Sequence, residues 1–188
     1  MIIESLDKCN TKYSVILSDP PWGEYFDQRR SRGGCENHYP TMKLQDICDL
    51  PVDNITNNNS VLFLWTTSPY LMKSNQVIES WGFAYKSSFI WDKQKHNMGW
   101  YNSVRHELLL ISTKGSYTPR VKKLFDSVQS IPRTKHSEKP EEFRTIIDTL
   151  YPNENRLELF ARKEVENWDS WGNQIKVVNH DSEISFAV

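Results

Sequence analysis

Residues 13–22, Tyr13-Ser14-Val15-Ile16-Leu17-Ser18-Asp19-Pro20-Pro21-Trp22, join an apolar run to an acidic residue, two prolines and a tryptophan. An apolar, partly β-branched run of this length is typical of a buried strand, and the prolines indicate a rigid loop directly after it. Asp19 would then lie at the carboxyl end of a strand, where open α/β sheets bind their ligands. The stretch therefore predicts both the fold class and the position of a ligand site.

The loop after this strand offers two hydrogen-bond acceptors in a fixed arrangement. Neither proline has a backbone N–H and both have a fixed φ, so the carboxylate of Asp19 and the carbonyl of Pro20 are preorganised. Trp22 adds a flat apolar surface beside them. Acceptors next to an aromatic face suit a planar heterocycle with an exocyclic amino group, such as adenine. The alternative is structural: Asp19 caps a turn and Trp22 packs in the core.

Composition narrows the class of protein. A chain of 188 residues fits a single domain, residues 1–188, that buries a core without covalent cross-links. Cys9, Cys35 and Cys48 lack CxxC spacing, so neither a disulfide framework nor a metal site is expected and a reducing compartment is favoured. We find no run of 18 apolar residues and no basic-then-apolar leader, so no membrane association or secretion is expected.

The net charge of −1 hides an uneven distribution. Residues 1–85 carry 7 basic and 10 acidic side chains, residues 86–139 carry 11 and 4, and residues 140–188 carry 5 and 10. The middle segment is therefore +7 (11 minus 4), and it contains Trp91, Trp100, Tyr101 and Tyr117. A solvated lysine-rich surface would explain the charge, but cations interleaved with aromatic rings favour a nucleic-acid surface.

The chain alternates predicted strands and helices, which favours an α/β protein with a mostly parallel sheet flanked by helices. Predicted strands are 13–18, 60–65, 83–91, 106–113 and 155–161, and predicted helices are 41–50, capped by Thr41, 70–81 and 139–150. The triplet Asn57-Asn58-Asn59 indicates a turn, and Gly82 is expected to end the second helix. Residues 114–139 are predicted to be a loop with a helical turn near 122–128, and residues 176–188 to add an edge strand.

Two polar stretches, residues 23–40 and 92–105, are predicted to be mobile substrate loops, since long loops in compact domains are often functional. An ordinary flexible excursion explains the first equally well. Their candidate substrate-binding residues, with Trp22, are Arg29, Arg30, Arg32, Tyr39, Lys93, Lys95 and Arg105.

Five stretches resemble, in order, the DPPW-type adenine N6-methyltransferases, a family related to the catalytic subunit of the messenger-RNA adenosine methyltransferase. They are Asp19-Pro20-Pro21-Trp22, Tyr39-Pro40-Thr41-Met42, Leu62-Phe63-Leu64-Trp65, His136-Ser137-Glu138-Lys139-Pro140-Glu141-Glu142, and Arg156-Leu157-Glu158-Leu159-Phe160-Ala161-Arg162 followed by Trp171-Gly172-Asn173-Gln174. Together they fall within residues 13–174. The sequence contains no GxGxG loop, so it lacks the glycine-rich motif that indicates dinucleotide binding in other α/β proteins.

The resemblance implies a Rossmann-like fold and methyl transfer from S-adenosylmethionine to the exocyclic amine of adenine. By position it implies that the catalytic residues are Asp19, Pro20, Pro21 and Trp22, and that the cofactor-binding residues are Asp19, Lys139, Glu158, Arg162, Asn173 and Gln174. The residues alone leave alternatives open: a helix start for Lys139, turn chemistry for Asn173 and Gln174, and structural pairing of Glu158 with Arg162. A buried carboxylate such as Glu158 needs a partner, and Arg162 lies just beyond the same strand.

DNA is the expected substrate, because a small chain without the long extensions of nuclear relatives favours a prokaryotic or phage enzyme in the cytoplasm. The target adenine must be single-stranded or flipped from its duplex, since its amine is otherwise paired. RNA adenosine is the first alternative, and a catalytically silent nucleic-acid-binding partner of another methyltransferase is the second. The target sequence and the oligomeric state, whether monomer, homodimer or complex with a partner subunit, are left open.

Overall fold

The structure is a computed structural model that describes residues 1–23, 41–98, 101–133 and 138–175. Its strands are β1 (Tyr13–Ser18), β2 (Thr56–Thr66), β3 (Ala84–Met98), β4 (Ser103–Lys114), β5 (Val128–Ser130), β6 (Arg156–Leu159) and β7 (Asp169–Trp171). Its α-helices are α1 (Leu44–Cys48), α2 (Leu71–Ser80) and α3 (Glu141–Leu150). The predicted tail strand at 176–188 and nearly all of the predicted loop at 23–40 lie outside the described residues.

The seven strands form one sheet in the order β5-β3-β4-β2-β1-β6-β7. β1 is parallel to β2 and to β6, β6 is parallel to β7, and β3 is parallel to β5, whereas β4 is antiparallel to both of its neighbours. The predicted α/β class with a mostly parallel sheet is confirmed. The chain places β2 on one side of β1 and β6 on the other, so the strand order reverses between β1 and β6. Open α/β sheets bind ligands at such a switch point.

β1 is buried along its whole length because helices cover both faces of the sheet. Ile16 packs in a core cluster with Ile78 and Trp81 beside α2, whereas Leu17 packs in a second cluster with Phe143 of α3. Side chains alternate between the two faces of a strand, so Asp19 points to the same face as Leu17. The apolar run of β1 therefore decides that Asp19 emerges on the α3 side.

The two longer helices form where the sequence predicts them. α3 follows Pro140 and turns Phe143, Ile146, Ile147 and Leu150 toward the sheet, as the helical spacing requires. α2 ends at Ser80 and is followed by Gly82, whose φ of +79° lies in the left-handed region. The amide of Phe83 then donates to the carbonyl of Ile78, which closes the last turn. None of the helices in the described ranges is long and apolar enough to cross a membrane.

The predicted loop at 92–105 is wrong, because residues 92–98 and 103–105 belong to β3 and β4 and form the outer part of a hairpin. Met98 pairs with Ser103 across the two strands. The Arg105 guanidinium donates to both carboxylate oxygens of Asp92, at 2.8 and 2.6 Å. The outer hairpin is polar because it extends beyond the helices that cover the sheet, so it lacks the apolar alternation used to recognise strands.

Four smaller predictions also fail. Residues 57–59, predicted to be a turn, lie inside β2 where its register with β1 shifts. The helix predicted at 41–50 is reduced to α1, and its N-cap is Lys43 instead of Thr41. No helical turn forms at 122–128, and residue 128 begins β5. Strands β5 and β7 were missed, since three residues are too few to show a period.

Replacing Phe143 with alanine is expected to destabilise the fold. Phe143 is 1% exposed, and its ring meets those of Trp65 and Phe89 at centroid distances of 4.9 and 6.3 Å. The cavity left behind should cost about 3–5 kcal/mol in the free energy of unfolding. Urea unfolding followed by circular dichroism measures it, with Leu124→Ala as the control because Leu124 is fully exposed. A loss below about 1 kcal/mol would contradict the packing of α3 described here.

Candidate active site

Several of the predicted site residues follow the carboxyl ends of three neighbouring strands. Asp19 directly follows β1, Arg162 lies three residues beyond β6, and Asn173 and Gln174 form an exposed turn after β7. These strands are parallel, so their carboxyl ends lie at the same edge of the sheet. The topology therefore places these residues at one edge of the sheet, where Asp19 was predicted to lie.

Lys139 joins this edge from the segment before α3. Its Nζ donates to Oδ2 of Asp19 at 2.8 Å and lies 3.4 Å from Oε2 of Glu107 and 5.5 Å from the centre of the Trp65 ring. Burial by itself lowers the pKa of Lys139, but the carboxylates of Asp19 and Glu107 outweigh it and raise that pKa above its ordinary value. Lys139 is therefore a charged ammonium that orients Asp19.

Glu107, in the antiparallel strand β4, is a site residue that sequence reasoning missed. It accepts hydrogen bonds from Lys93 and Lys139 and is buried. Burial by itself raises the pKa of Glu107, but Lys139 and Lys93 reverse that effect, so the pKa lies below its ordinary value. The available signal was a charge at the start of the apolar run 108–111, directly before Leu108.

The Asp19-Pro20-Pro21-Trp22 loop is held mainly through its backbone. The amide of Trp22 donates to the carbonyl of Pro20 at 2.9 Å, and the amide of Met42 donates to the carbonyl of Pro21 at 2.9 Å. A carbonyl oxygen has two lone pairs, so Pro20 keeps one acceptor position. The stretch containing Met42, which resembles the family motif, thus pairs with the loop as an isolated bridge.

Trp22 is fixed on one ring face and at its nitrogen. Its indole Nε1–H donates to the carbonyl of Trp65 at 3.2 Å. Its ring stacks on that of Tyr70 with a centroid distance of 5.3 Å and an interplanar angle of 23°. Tyr70 therefore covers one face of Trp22, and a base stacking on this tryptophan has only the other face available.

Glu158 is paired with Arg144 of α3, so the expectation that Arg162 supplies its partner is corrected. Nη2 of Arg144 lies 2.6 and 2.7 Å from the two oxygens of Glu158, and its Nε lies 3.2 Å from Oε2. Burial raises the pKa of Glu158, and the attraction of Arg144 only partly offsets that rise. Sequence proximity favoured Arg162, whereas the packing of α3 on the sheet brings Arg144 onto the carboxylate.

The segments that follow β6 and β7 lie in close contact and contain two unusual backbone positions. Phe160 has a φ of +62°, a strained conformation for a bulky residue, and such strain is concentrated at ligand sites. A Cβ on Gly172 would collide with the carbonyl oxygen of Ala161 and would lie 2.8 Å from its nitrogen. Glycine at position 172 therefore allows the turn at Asn173 and Gln174 to leave β7 against β6.

The remaining predicted substrate residues are dispersed. Arg29, Arg30, Arg32 and Tyr39 lie outside the described residues. Lys93 points toward Glu107, Arg105 pairs with Asp92, and Lys95 is exposed on the hairpin. Among the residues that the structure describes, no group of histidine, cysteine, aspartate or glutamate side chains is arranged to hold a metal ion.

The edge between β1 and β6 fits S-adenosylmethionine by its donors and acceptors. That cofactor carries a sulfonium cation, a ribose diol and an amino-acid carboxylate, so its site needs anionic acceptors and a cation. Asp19 and Glu158 are the acceptors at the switch point, and Lys139 is a cation beside them. Fold and site together are typical of an enzyme that binds a nucleotide-derived cofactor, and similarity to known proteins identifies it as an S-adenosylmethionine-dependent methyltransferase.

Comparison with known proteins makes this assignment more specific. The family model described as MT-A70 matches residues 13–174, and the chain belongs to that family of adenine N6-methyltransferases.

Three relatives illustrate the range of the family. "Type II methyltransferase M.MunI" from Mycoplasma sp is 38% identical over 182 residues, covering 87% of this chain and 78% of that protein. "Putative N(6)-adenosine-methyltransferase MT-A70-like" from Medicago truncatula is 27% identical over 178 residues, covering 89% of this chain and 27% of that protein. "N(6)-adenosine-methyltransferase catalytic subunit METTL3" from Homo sapiens is 25% identical over 174 residues, covering 87% of this chain and 28% of that protein. The chain thus spans about a quarter of the last two proteins.

Replacing Glu107 with glutamine is expected to destabilise the protein and to change how its stability depends on pH. Removing one partner from a buried ion pair costs about 3–5 kcal/mol in the free energy of unfolding. The pKa of Glu107 is depressed from 4.5, so its contribution is fully present above about pH 4.5 and is lost as the pH falls below that value. As the pH is lowered from about 5 to about 3, the free energy of unfolding of the variant should therefore fall less than that of the wild type.

Urea unfolding at a series of pH values measures this difference. Glu79→Gln is the matched control, because Glu79 is an exposed carboxylate on α2. Equal pH slopes for the wild type and Glu107→Gln would show that Glu107 is not held ionised by the two lysines.

Proposed function

We propose that this protein transfers a methyl group to the exocyclic amine of adenine in DNA, with Asp19, Pro20, Pro21 and Trp22 forming the catalytic loop. The observation that carries the proposal is the orientation of the Asp19 carboxylate by Lys139, at 2.8 Å, at the carboxyl end of β1. Similarity to a type II methyltransferase over most of both chains supports DNA as the polymer. A human N(6)-adenosine-methyltransferase subunit is also a relative, so RNA is the alternative substrate.

The adenine amine is a poor nucleophile because its lone pair is delocalised into the ring. Lys139 occupies Oδ2 of Asp19, so Oδ1 is the oxygen proposed to accept a hydrogen bond from one N–H of the amine. The carbonyl of Pro20, with one lone pair left after the Trp22 amide, accepts a hydrogen bond from the other N–H. These two acceptors direct the nitrogen lone pair away from the ring plane, and positioning of this kind supplies much of the rate enhancement.

S-adenosylmethionine supplies an electrophilic methyl group when it is bound. Asp19 stabilises the positive charge that develops on the amine nitrogen, because its carboxylate is already in place before the reaction. The proton released from that nitrogen passes to solvent, so Asp19 acts as an orienting group and charge stabiliser. Trp22 limits the position of the base, since Tyr70 and the carbonyl of Trp65 hold its ring.

The cofactor is proposed to lie across the ends of β1, β6 and β7. Lys139 is assigned to the amino-acid end, and the ribose and neighbouring atoms are assigned to Glu158, Arg162, Asn173 and Gln174. The strained backbone at Phe160 and the close approach at Gly172 support this placement, because they shape the edge between β6 and β7. Asp19 contributes to both halves of the site, since it lies between the proposed amine and the proposed cofactor.

The DNA flanking a flipped or single-stranded adenine is proposed to contact the β3–β4 hairpin and the stretch at 23–40. Lys95 and Arg105 are the hairpin cations assigned to the DNA, and Arg29, Arg30, Arg32 and Tyr39 remain predictions. Lys93 is reassigned from substrate contact to the support of Glu107, because it donates to that carboxylate. A prokaryotic or phage-infected cytoplasm is the proposed location, and a homodimer or a complex with a partner subunit is the proposed assembly.

Substituting Asp19 with asparagine is expected to lower kcat by about 100-fold or more, since a preorganised charge at the reacting atom is lost. Binding of S-adenosylmethionine, measured by calorimetry, should change by less than the activity does. Asp126→Asn is the matched control, because Asp126 is exposed before β5 and away from the ligand edge. Near wild-type turnover in Asp19→Asn would refute the proposed role of Asp19.

Labelled methyl transfer to matched oligonucleotides tests the choice of polymer. Single-stranded DNA, duplex DNA and single-stranded RNA of one adenine-containing sequence are compared at equal concentration. The proposal predicts N6-methyladenine in DNA at a rate clearly above that in RNA. Methylation of RNA alone would replace DNA as the substrate, and oligonucleotide binding without cofactor binding would indicate a silent partner.

A further inference from the structure

Two carboxylates meet at the switch point, and each has its own cation. Asp19 lies at the end of β1 and is bonded to Lys139, whereas Glu158 lies in β6, in register with Leu17, and is bonded to Arg144. Asp19 and Glu158 point to the same α3 face and are close enough for Asp19 to raise the pKa of Glu158. Without the two cations, the carboxylates of Asp19 and Glu158 would repel each other where little water is available to screen them.

The contact between Arg144 and Glu158 is bidentate and almost fully enclosed. The side chains are 12% and 11% exposed, and the three hydrogen bonds between them measure 2.6, 2.7 and 3.2 Å. Arg144 also donates from Nη1 to Glu141 at 2.6 Å, which fixes the guanidinium within the first turn of α3. Such planar recognition fixes the direction of a carboxylate as well as its charge.

Stability alone is a weak reason for this pair. Burying two charges costs solvation, and well-packed apolar residues often stabilise a core as well as a buried ion pair does. The pair also sits at the strand-order reversal, next to the proposed cofactor position, and not in the middle of the core. This location favours a role in the orientation of Glu158 toward a ligand.

We propose that Arg144 is a positioning residue that favours the ionised form of Glu158 and fixes its direction, so that its remaining acceptor position accepts a hydrogen bond from the ribose diol of the cofactor. The inference rests on the proposed function, because it places the cofactor at this edge. An ionised carboxylate has about four acceptor positions, and Arg144 directs three donor contacts at it. An acidic residue that accepts from ribose hydroxyls is the general solution in nucleotide-binding α/β folds.

The charged groups around Glu158 determine what removal of Arg144 does. Arg144 and Glu141 face it from α3, and Asp19 faces it from the end of β1. Burial, Asp19 and Glu141 all raise the pKa of Glu158, and among the residues that the structure describes it is Arg144 that lowers it. Loss of the guanidinium therefore favours a protonated Glu158, which has lost acceptor capacity and orientation. The cofactor affinity of such a variant should fall as the pH is lowered.

Calorimetric titration of S-adenosylmethionine into the full chain, between pH 8 and pH 5.5, tests the proposal without requiring activity. Arg144→Met should weaken binding by about tenfold or more at neutral pH, with a loss toward low pH that is steeper than that of the wild type. Arg144→Lys keeps the charge and should restore the wild-type pH profile with a smaller loss of affinity. Glu141→Gln is the matched control, because it removes the charge of the other carboxylate bound by Arg144 and leaves Glu158 paired.

A double-mutant comparison separates positioning from a general structural effect. In a Glu158→Gln background, Arg144→Met should cause less than about a twofold further loss of affinity, since its effect acts through Glu158. Wild-type binding by Arg144→Met, or an equal loss in both backgrounds, would overturn the inference. If Arg144→Met does not fold, Arg144→Gln provides the same comparisons. Absence of cofactor binding by the wild type would instead refute the proposed function.

Discussion

The hydrogen bond between Lys139 and Asp19 is the contact on which the site depends. It joins two residues that are 120 positions apart and connects the loop after β1 to the segment that begins α3. The pKa of Lys139 stays above its ordinary value despite burial, because Asp19 and Glu107 surround its ammonium. α3 then packs Phe143 against Trp65, which places Arg144 over Glu158. One contact thus couples the proposed methyl-acceptor side to the proposed cofactor side.

Alternating charges organise the ligand edge. Glu107 lies between Lys93 and Lys139, and Lys139 lies between Glu107 and Asp19. In a poorly solvated region each ionised group needs a partner, because an unpaired buried charge is far less stable than a paired one. This arrangement explains why the side chain of Lys93, in the β3–β4 hairpin, is directed toward Glu107 instead of toward solvent. It also explains why an antiparallel strand, β4, contributes a carboxylate to an edge that is otherwise built by parallel strands.

Sequence reasoning failed where contacts are distant or where polarity conceals a strand. Residues 92–105 are polar and basic, so they were predicted to be a loop, yet β3 and β4 continue there and are clamped by Asp92 and Arg105. Arg162 is the partner of Glu158 that the sequence predicts, because it is four residues away. In the structure Glu158 is instead bonded to Arg144, which lies in α3. Trp22 was expected to stack on a base, and the structure adds that Tyr70 already covers one of its faces.

The sequence by itself determined the α/β class, the first strand with Asp19 at its carboxyl end, and the long helices α2 and α3, because these depend on local periodicity, proline and glycine. Its motifs also determined the family. Only the tertiary structure decided which cation serves which carboxylate, how β5 and β7 extend the sheet, and where strand order reverses. Such features arise from residues far apart in the chain that approach one another when the two faces of β1 are covered, and no local pattern records which of them meet.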